Sequence, residues 1–344
     1  MINNGSNLIT IYLTAKKLLI VILSLQLAIF GLTLLGKLGL EIPVLRQVIG
    51  FFYLTFIPGI LLLVIFGISN LNLTEVILYS AGLSLSFLMC MGALINFLYP
   101  LIGISKPISD SLIVYTISLV IVLLCIIFYY QNKKFEVLLS NLRDFLSPSF
   151  LLFILPILLA VFGTYLLRFH ESNFLLLILI ALISLIPFLA IYYVSSKFYP
   201  LLIFSIALSL LLYASAASPY IRGWDACVEL YTANLVKANS LWNPRIPISH
   251  NAMLSIVILR PIYSILLGIS LTEAFTLISP FLFSLVPLAL YEITRRVVKS
   301  RNRDEIAFLS CSFFMFFWMF YTSMANLYRQ QIAMLFLSLI ILLL

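Results

Sequence analysis

The sequence contains little charge. Only 9% of its 344 residues are Asp, Glu, Lys or Arg, compared with about 25% in an ordinary soluble domain. Hydrophobic residues make up 63% of the chain. This balance excludes a soluble globular protein and predicts an all-α, polytopic integral membrane protein, for which the bilayer is the solvent.

Cysteine and histidine are also scarce. The four cysteines lie far apart and three of them fall inside apolar runs, which predicts small buried side chains and no disulfide framework; they are Cys90, Cys125, Cys227 and Cys311. His170 and His250 stand alone in different loops and lack metal-ligand spacing. The chain has no glycine-rich phosphate loop, no nucleophile elbow and no zinc motif. No function follows from these residue types.

Ten apolar windows approach the length that a helix needs to cross about 30 Å of hydrocarbon. They are Lys17–Leu35, Ile49–Ile68, Val76–Tyr99, Leu112–Tyr130, Phe150–Leu167, Phe174–Val194, Pro200–Ala216, Ala274–Ile293, Ile306–Thr322 and Ile332–Leu344. The last window is cut short by the chain end, which predicts that the natural protein continues. A further stretch, Met253–Gly268, has Arg260 and Pro261 at its middle, and both residues disfavour a crossing. We expect that stretch to be a helix at the outer interface.

The net charge of +8 is better explained by membrane topology than by nucleic acid. The basic residues sit singly in short loops instead of on one face. The strongest cluster, between Arg295 and Arg303, is expected to be cytoplasmic. Counting spans backwards places Lys197, the Lys133-Lys134-Arg143 loop and Lys16 on the same side. We predict a multi-pass cell-membrane protein with a cytoplasmic N-terminus, surrounded by membrane lipids and without a nucleic-acid partner.

The chain is predicted to consist of two membrane regions. Residues 1–198 hold six spans, and residues 199–344 hold the remaining four together with a long outer loop, 217–273. A short second outer loop, Ser323–Gln331, joins the last two spans. The two loops contain the polar residues with the potential for chemistry at the outer face.

Two outer-interface helices are expected within the long loop. The first is predicted at about Asp225–Asn239, with Asp225 at the N-cap position, and the second at about Asn251–Gly268. A proline-bearing connector separates them and cannot be helical. Three aromatic rings of the loop suit the headgroup level of a bilayer, namely Trp224, Tyr231 and Trp242.

The first of these helices would carry two carboxylates. Asp225 and Glu229 lie four residues apart and would project from one helix face. A carboxylate there could act as a general base on an acceptor hydroxyl, or the pair could hold Mg²⁺ or Mn²⁺ beside a phosphate. The alternative is that Asp225 only caps the helix and that Glu229 is a solvated first-turn acid. The spacing leaves both interpretations open.

Arginine is the second candidate residue type in the outer loops. Arg329 is the only charged residue of the short loop, and its guanidinium suits a phosphate. The alternative is an interfacial anchor that snorkels from the head of the final span. Arg222, Arg245 and Arg260 could likewise draw an anionic headgroup, with ordinary lipid contact as the alternative for each.

The region from about Tyr199 to Leu344 resembles the first part of a GT-C glycosyltransferase, a membrane-embedded class that takes sugars from polyprenyl-phosphate carriers. It shares the order of a span, an outer loop with an early acid, a surface helix, a span ending in a basic turn, a return span and a short polar loop. The resemblance implies that Asp225 is the catalytic base or a metal ligand, with Glu229 as its companion. It also implies a lipid-linked sugar donor.

The short loop departs from the pattern of that class. It reads Tyr328-Arg-Gln-Gln-Ile, similar to an Arg-Gln-Glu-Ile pattern, with Gln331 where Glu is expected. The departure weakens a metal-assisted mechanism and leaves Arg329 as the residue carried over, in contact with the donor phosphate. Arg222, Trp224 and Gln331 complete the predicted substrate-binding set.

The whole chain also resembles an uncharacterised archaeal family of predicted membrane proteins, in which a six-span leader precedes a GT-C-like half. This resemblance rests on Arg46-Gln-Val-Ile-Gly, Phe56-Ile-Pro-Gly59 and Ser80-Ala-Gly-Leu-Ser-Leu-Ser86. The resulting prediction is a glycosyltransferase, or its N-terminal part, active at the outer face. The alternative is a non-catalytic scaffold or an inactive remnant. A transporter is disfavoured because the predicted spans are nearly free of ionisable residues.

Overall fold

The computed structural model describes residues 15–40, 42–68, 70–131 and 148–344. Within these ranges the chain is helical and has no strand, which confirms the all-α class. The helices are α1 (Ala15–Lys37), α2 (Pro43–Phe66), α3 (Leu73–Leu101), α4 (Asp110–Gln131), α5 (Pro148–His170), α6 (Phe174–Tyr193), α7 (Tyr199–Ser215), α8 (Trp224–Asn239), α9 (Leu254–Leu267), α10 (Leu271–Val297), α11 (Arg303–Phe316), α12 (Trp318–Tyr321) and α13 (Tyr328–Leu343).

Eight of the described helices, α1 to α7 and α10, are long and apolar enough to cross a membrane. A ninth candidate is broken, because α11 and the segment that begins with α12 are bent by 63° at Phe317, whose backbone is extended. Helix α13 is apolar but has only 16 residues. Each of the ten apolar windows therefore coincides with a helix or a broken helix, and the multi-pass membrane character is confirmed.

Residues of both predicted membrane regions lie in one hydrophobic core. Two side chains of the first region also hold the loop 217–273, which we call the polar loop. Arg46 donates to the carbonyl of Leu266 at 3.0 Å. Asn96 donates to the carbonyl of Trp242 and accepts from its backbone N–H, each at 2.8 Å. Helices α2 and α3 therefore support the polar loop from within the bundle.

The polar loop and the turn 298–302 lie at opposite ends of the bundle, because α10 runs from one to the other. At the first end, Arg168 of α5 donates to the carbonyl of Ser218 at 2.7 Å. At the second end, Arg296 of α10 donates to the carbonyl of Leu342 in the last turn of α13 at 2.5 Å. These contacts agree with the predicted order of spans. The Lys133-Lys134-Arg143 loop and the N-terminus lie outside the described residues, and the cytoplasmic side stays a prediction.

Helix α9 differs from its predicted environment. We expected it at the membrane interface, but every residue from Leu259 to Leu267 is buried within the protein. It packs against α2 and α3, and the hydroxyls of Tyr263 and Thr55 lie 2.8 Å apart. The regular helix is interrupted at Ile258, between Leu254–Val257 and Leu259–Leu267. Pro261 falls in the first turn after this interruption, where a missing N–H is tolerated. Protein side chains, not lipid, therefore cover α9 from Leu259 onward.

The start of α10 is fixed locally before the helix enters the bundle. Ser270 and Glu273 form a capping box, in which the Glu273 carboxylate accepts from the Ser270 N–H at 2.8 Å and the Ser270 hydroxyl accepts from the Glu273 N–H at 3.1 Å. A π-helical turn, Ala274–Ile278, follows directly. π-helical turns are rare overall, and those that do occur are often found at functional sites. This turn brings the Ala274 carbonyl and the Phe275 ring to α9.

Candidate functional site

Helix α8 carries the two carboxylates that the sequence singled out. It begins at Trp224, and its N-cap is Gly223 with a φ of 102°, a backbone region that residues with a Cβ rarely adopt. We expected Asp225 at the N-cap, and this is wrong: Asp225 is the second helical residue, and no side chain caps the helix. The Asp225 carboxylate therefore has a partner elsewhere.

One face of α8 is buried in a small separate core. Ala226, Glu229 and Ala233 recur at helical spacing on that face. The apolar members of this core come from α8, α9, α10 and α13, and they are Ala226, Ala233, Ile256, Leu271, Phe275 and Tyr328. The Glu229 side chain is 0% exposed, so it is not the solvated acid of the alternative interpretation. Packing of its neighbours forces this carboxylate into the protein.

Arg329 joins the short loop to the long one. Its guanidinium donates to the Asp225 carboxylate at 2.5 Å, and its Nε lies 3.7 Å from Oε1 of Glu229. It also donates to Nε2 of His250. The structure thus brings Arg329 to the carboxylate pair of α8, which the sequence predicted separately from it, because α13 begins beside the first turns of α8. The Arg329 side chain is 23% exposed and pairs with protein carboxylates, unlike a lipid anchor.

His250 belongs to the same cluster, although no sequence pattern singled it out. It lies in a 3₁₀ turn before α9 and is largely buried. An arginine can only donate, so Nε2 of His250 accepts, which requires a neutral ring. Burial lowers the pKa of His250, and the positive charge of Arg329 lowers it further. Both effects favour the neutral ring that Arg329 needs as its acceptor.

Arg260 lies beneath the cluster and is completely buried. Its NH1 donates to the carbonyl of Ala274 at 3.4 Å, and its guanidinium lies 5.1 Å from the centre of the Phe275 ring. Its Nε and NH2 have no hydrogen-bond partner among the described residues. The sequence left open an anionic headgroup or ordinary lipid contact for Arg260, and its burial overturns both. The relevant sequence feature was an arginine inside an apolar stretch, which marks a functional position in membrane proteins.

The charges around Glu229 set its protonation. Burial raises the pKa of the Glu229 carboxyl to about 7, and the nearby Asp225 adds to the rise, whereas Arg260 and Arg329 oppose it. Both Glu229 oxygens are buried without a hydrogen-bond partner in the described part of the chain. A carboxyl of this kind takes up and releases a proton near neutral pH, as a general acid or base requires.

The other predicted substrate contacts lie in different environments. Gln331 is fully buried, and its amide donates to the carbonyl of Met324 at 2.6 Å, which holds the short loop. Arg222 is exposed, and Trp224 is 85% exposed. Trp242 was expected at the headgroup level, but it is buried and its indole donates to Asn251. Arg222 and Trp224 are therefore accessible from solvent or membrane, and Gln331 is not.

A mostly apolar groove of about 470 Å³ opens beside Arg329, between α3, α9 and α13. Its apolar lining residues are Met89, Met253, Leu254, Ile332, Ala333 and Phe336. Arg329 and Gln330 contribute polar groups to the same lining. A molecule with an apolar chain and an anionic head would match this combination.

The carboxylates do not form a metal site. The described residues contain no group of three or more His, Cys, Asp or Glu side chains arranged to hold a metal ion. The guanidinium of Arg329 stands against both Asp225 and Glu229, so a cation beside them would meet a positive charge at close range. This donor set does not fit Mg²⁺ or Mn²⁺.

No protein-family model, no curated protein and no solved structure matches the chain. The likeness to GT-C glycosyltransferases therefore stays a prediction. The geometry of Asp225, Glu229, Arg260, His250 and Arg329 is the basis for a functional inference.

Proposed function

We propose that the chain is a membrane glycosyltransferase, or the N-terminal part of one, that takes a sugar from a lipid-linked phosphate at the polar-loop end. One arrangement carries this proposal. The Arg329 guanidinium lies against two carboxylates and lines an apolar groove. This arrangement combines a cation that can bind a phosphate, carboxylates that can accept a proton and a groove that can hold a lipid chain.

The donor phosphate binds the guanidinium of Arg329 in this proposal. The planar guanidinium offers parallel N–H donors that match two phosphate oxygens. Asp225 occupies one of these donors at 2.5 Å, so the phosphate competes with Asp225 for the same N–H. The isoprenoid chain of the donor then lies along the groove, against side chains such as Leu254 and Phe336.

Release of Asp225 from Arg329 provides the base for the reaction. The acceptor O–H attacks the anomeric carbon while the bond from that carbon to the phosphate oxygen breaks, and its electron pair leaves on the phosphate. Asp225 takes the acceptor proton. A single displacement inverts the anomeric centre. Arg329 stabilises the charge that grows on the leaving phosphate, and positioning of the two substrates contributes the rest.

Glu229 and Arg260 support this chemistry from behind. Glu229 lies next to Arg329, and its pKa of about 7 suits a proton store that exchanges near neutral pH. The charge of Arg260 favours the ionised form of Glu229. We assign Arg260 as a positioning residue, because it is completely buried and acts through Glu229.

The same contacts favour one second candidate, a non-catalytic scaffold. The Arg329–Asp225 pair ties α13 to α8, and His250 takes up another donor of the same guanidinium. Such a tie stabilises the two loops without any substrate. In a scaffold, Arg260 and Glu229 would only fix the position of α8 over α9.

An assay of sugar transfer distinguishes the glycosyltransferase from the non-catalytic scaffold. The longest natural form of the protein is assayed in native lipid extract with radiolabelled polyprenyl-phosphate sugars, as wild type, Asp225→Asn and Arg329→Ala. Matched controls are Asp110→Asn, at the start of α4, and Arg245→Ala, on the exposed part of the polar loop. The thermal unfolding midpoint of each variant reports its folding.

Loss of transfer in both site variants, with transfer retained in both controls, is the expected result. No transfer from any donor by the folded wild type, or full transfer by Asp225→Asn, would leave the scaffold as the better account.

A further inference from the structure

A second cavity lies at the opposite end of the bundle from the candidate site. It measures about 390 Å³ and opens where the start of α3, the end of α10 and the turn 298–302 meet. The residues that line it are polar or charged almost throughout, unlike those of the groove beside Arg329. It is independent of the proposed glycosyl transfer.

The inner wall of this cavity is built from ion pairs. Glu75 and Glu292 are buried, with 6% and 3% exposure. Arg296 donates to Glu75, and Arg295 donates to Glu292 at 3.1 Å. The Asn72 amide donates to Glu292 at 3.2 Å. These contacts fix the two arginines in place and satisfy part of their donors.

The outer rim offers donors that no protein group uses. Lys299, Ser300 and Arg303 line the cavity and are exposed. No hydrogen bond or ion pair engages the Lys299 ammonium or the Arg303 guanidinium within the described ranges. Helix α11 begins at Arg303, and the side chain of its N-cap Asn302 makes no capping bond. The first N–H groups of α11 are therefore not capped by Asn302, and Asp304 and Glu305 in the same turn offset part of the positive helix dipole.

The charge of the lining is positive. Four cationic side chains, Arg295, Arg296, Lys299 and Arg303, face two carboxylates, Glu75 and Glu292, so the lining carries a formal charge of +2, of which Asp304, bonded to Arg295 at 2.6 Å from outside the lining, neutralises one. The excess sits on the accessible rim, because both carboxylates are buried and paired. Basic pockets between helices at a membrane face bind anionic head groups.

We infer that this cavity binds a phosphate-bearing anion, supplied either by the headgroup of an anionic lipid or by a soluble organic phosphate. Lys299 and Arg303 provide the direct contacts, and Arg295 and Arg296 provide the positive wall behind them. A phosphate group accepts several charge-assisted hydrogen bonds at once, and the rim supplies donors from Lys299, Ser300 and Arg303.

The test compares two neighbouring arginines, one at the end of the turn and one at the start of α11. Arg303 lines the cavity, whereas Arg301 is exposed and does not, so Arg303→Gln and Arg301→Gln remove the same charge. The purified full chain is titrated in neutral detergent with pyrophosphate at constant ionic strength, and the unfolding midpoint is followed. In a second arm the chain is placed in phosphatidylcholine nanodiscs with increasing phosphatidylglycerol, and the same midpoint is followed.

We expect a saturable rise of the midpoint in at least one arm. Arg303→Gln should weaken the apparent affinity by about tenfold, the effect of one lost charge-assisted bond, and Arg301→Gln should leave it within about twofold. A rise only with phosphatidylglycerol identifies a lipid headgroup, and a rise only with pyrophosphate identifies a soluble phosphate. No saturable rise in either arm, or equal weakening by both variants, would overturn the assignment.

Discussion

The Arg329 guanidinium donates to the Asp225 carboxylate at 2.5 Å, across 104 positions of the sequence. The bond joins the first turn of α13 to the first turn of α8. The two side chains keep 23% and 40% of their surface exposed, so a ligand can reach both. Because a ligand can reach this ion pair and an apolar groove lies beside it, the pair suits ligand binding and does not only join two helices.

Replacement of Asp225 by Asn tests the base. Asn keeps the shape of the side chain and still accepts a hydrogen bond from Arg329, but it cannot take a proton. Under the proposed function, kcat for sugar transfer should fall by about 10²–10⁴-fold, with KM for the donor and the unfolding midpoint little changed. Steady-state kinetics in lipid extract measure both constants. A similar fall in Asp110→Asn would contradict a specific role of Asp225.

Replacement of Arg329 by Lys tests the phosphate contact. Lys keeps the positive charge but loses the planar fork that matches two phosphate oxygens. We expect KM for the lipid-linked donor to rise by about tenfold or more, because at least one charge-assisted bond is lost. Arg245→Lys makes the same change elsewhere on the polar loop and should leave KM unaltered. An unchanged KM in Arg329→Lys would place the phosphate elsewhere.

Much of the fold could be predicted from the sequence, because membrane crossing depends on local composition. A run of about 20 apolar residues has few options other than a helix in lipid. For that reason each of the ten apolar windows coincides with a helix or a broken helix. The spacing of Asp225 and Glu229 was likewise sufficient to predict that both belong to one helix.

The candidate site itself depends on contacts between distant segments, which local patterns do not encode. Nothing near His250 or Arg260 indicates that both lie around Arg329 and Glu229. The burial of α9 follows from its packing on α2 and α3, so its hydropathy gave the correct helix but the wrong surroundings. The same holds for Trp242, whose indole bonds to Asn251 inside the protein.

Replacement of Arg260 by Met tests its positioning role. The buried cation favours the ionised form of Glu229, so its removal should raise the Glu229 pKa further. Under the proposed function, Glu229 must be ionised to store the proton that Asp225 removes, so the rising limb of kcat against pH should move upward by about one unit, equivalent to tenfold in proton affinity. Arg260→Lys keeps the charge and should keep the limb near its original position.

A purely structural Arg260 predicts a different outcome. Both variants would then lower the yield of folded protein or the unfolding midpoint, and the pH profile of the folded fraction would stay in place. The Arg260→Lys variant keeps the experiment decisive if Arg260→Met does not fold.

Glu229 should make the stability of the chain depend on pH. Its pKa rises from the ordinary value of 4.5 to about 7 in the folded chain, so the folded state binds a proton more tightly between these values. The free energy of unfolding should therefore fall as pH rises from about 4.5 to 7 and level off above 7. The total contribution is about 3 kcal/mol.

Glu229→Gln removes this dependence with little change of shape. Its unfolding midpoint in neutral detergent should approach that of wild type near pH 4, below the ordinary pKa of 4.5 at which Glu229 is protonated in both the folded and the unfolded chain, and should exceed it at pH 8. The pKa of His250 is lowered in the folded chain, so protonation of His250 at acidic pH destabilises both proteins. This effect largely cancels when the two unfolding midpoints are compared. Glu171→Gln, at an exposed position between α5 and α6, is the matched control and should track wild type at both pH values. Equal midpoints of Glu229→Gln and wild type at pH 8 would contradict a buried carboxylate that must ionise beside Arg329.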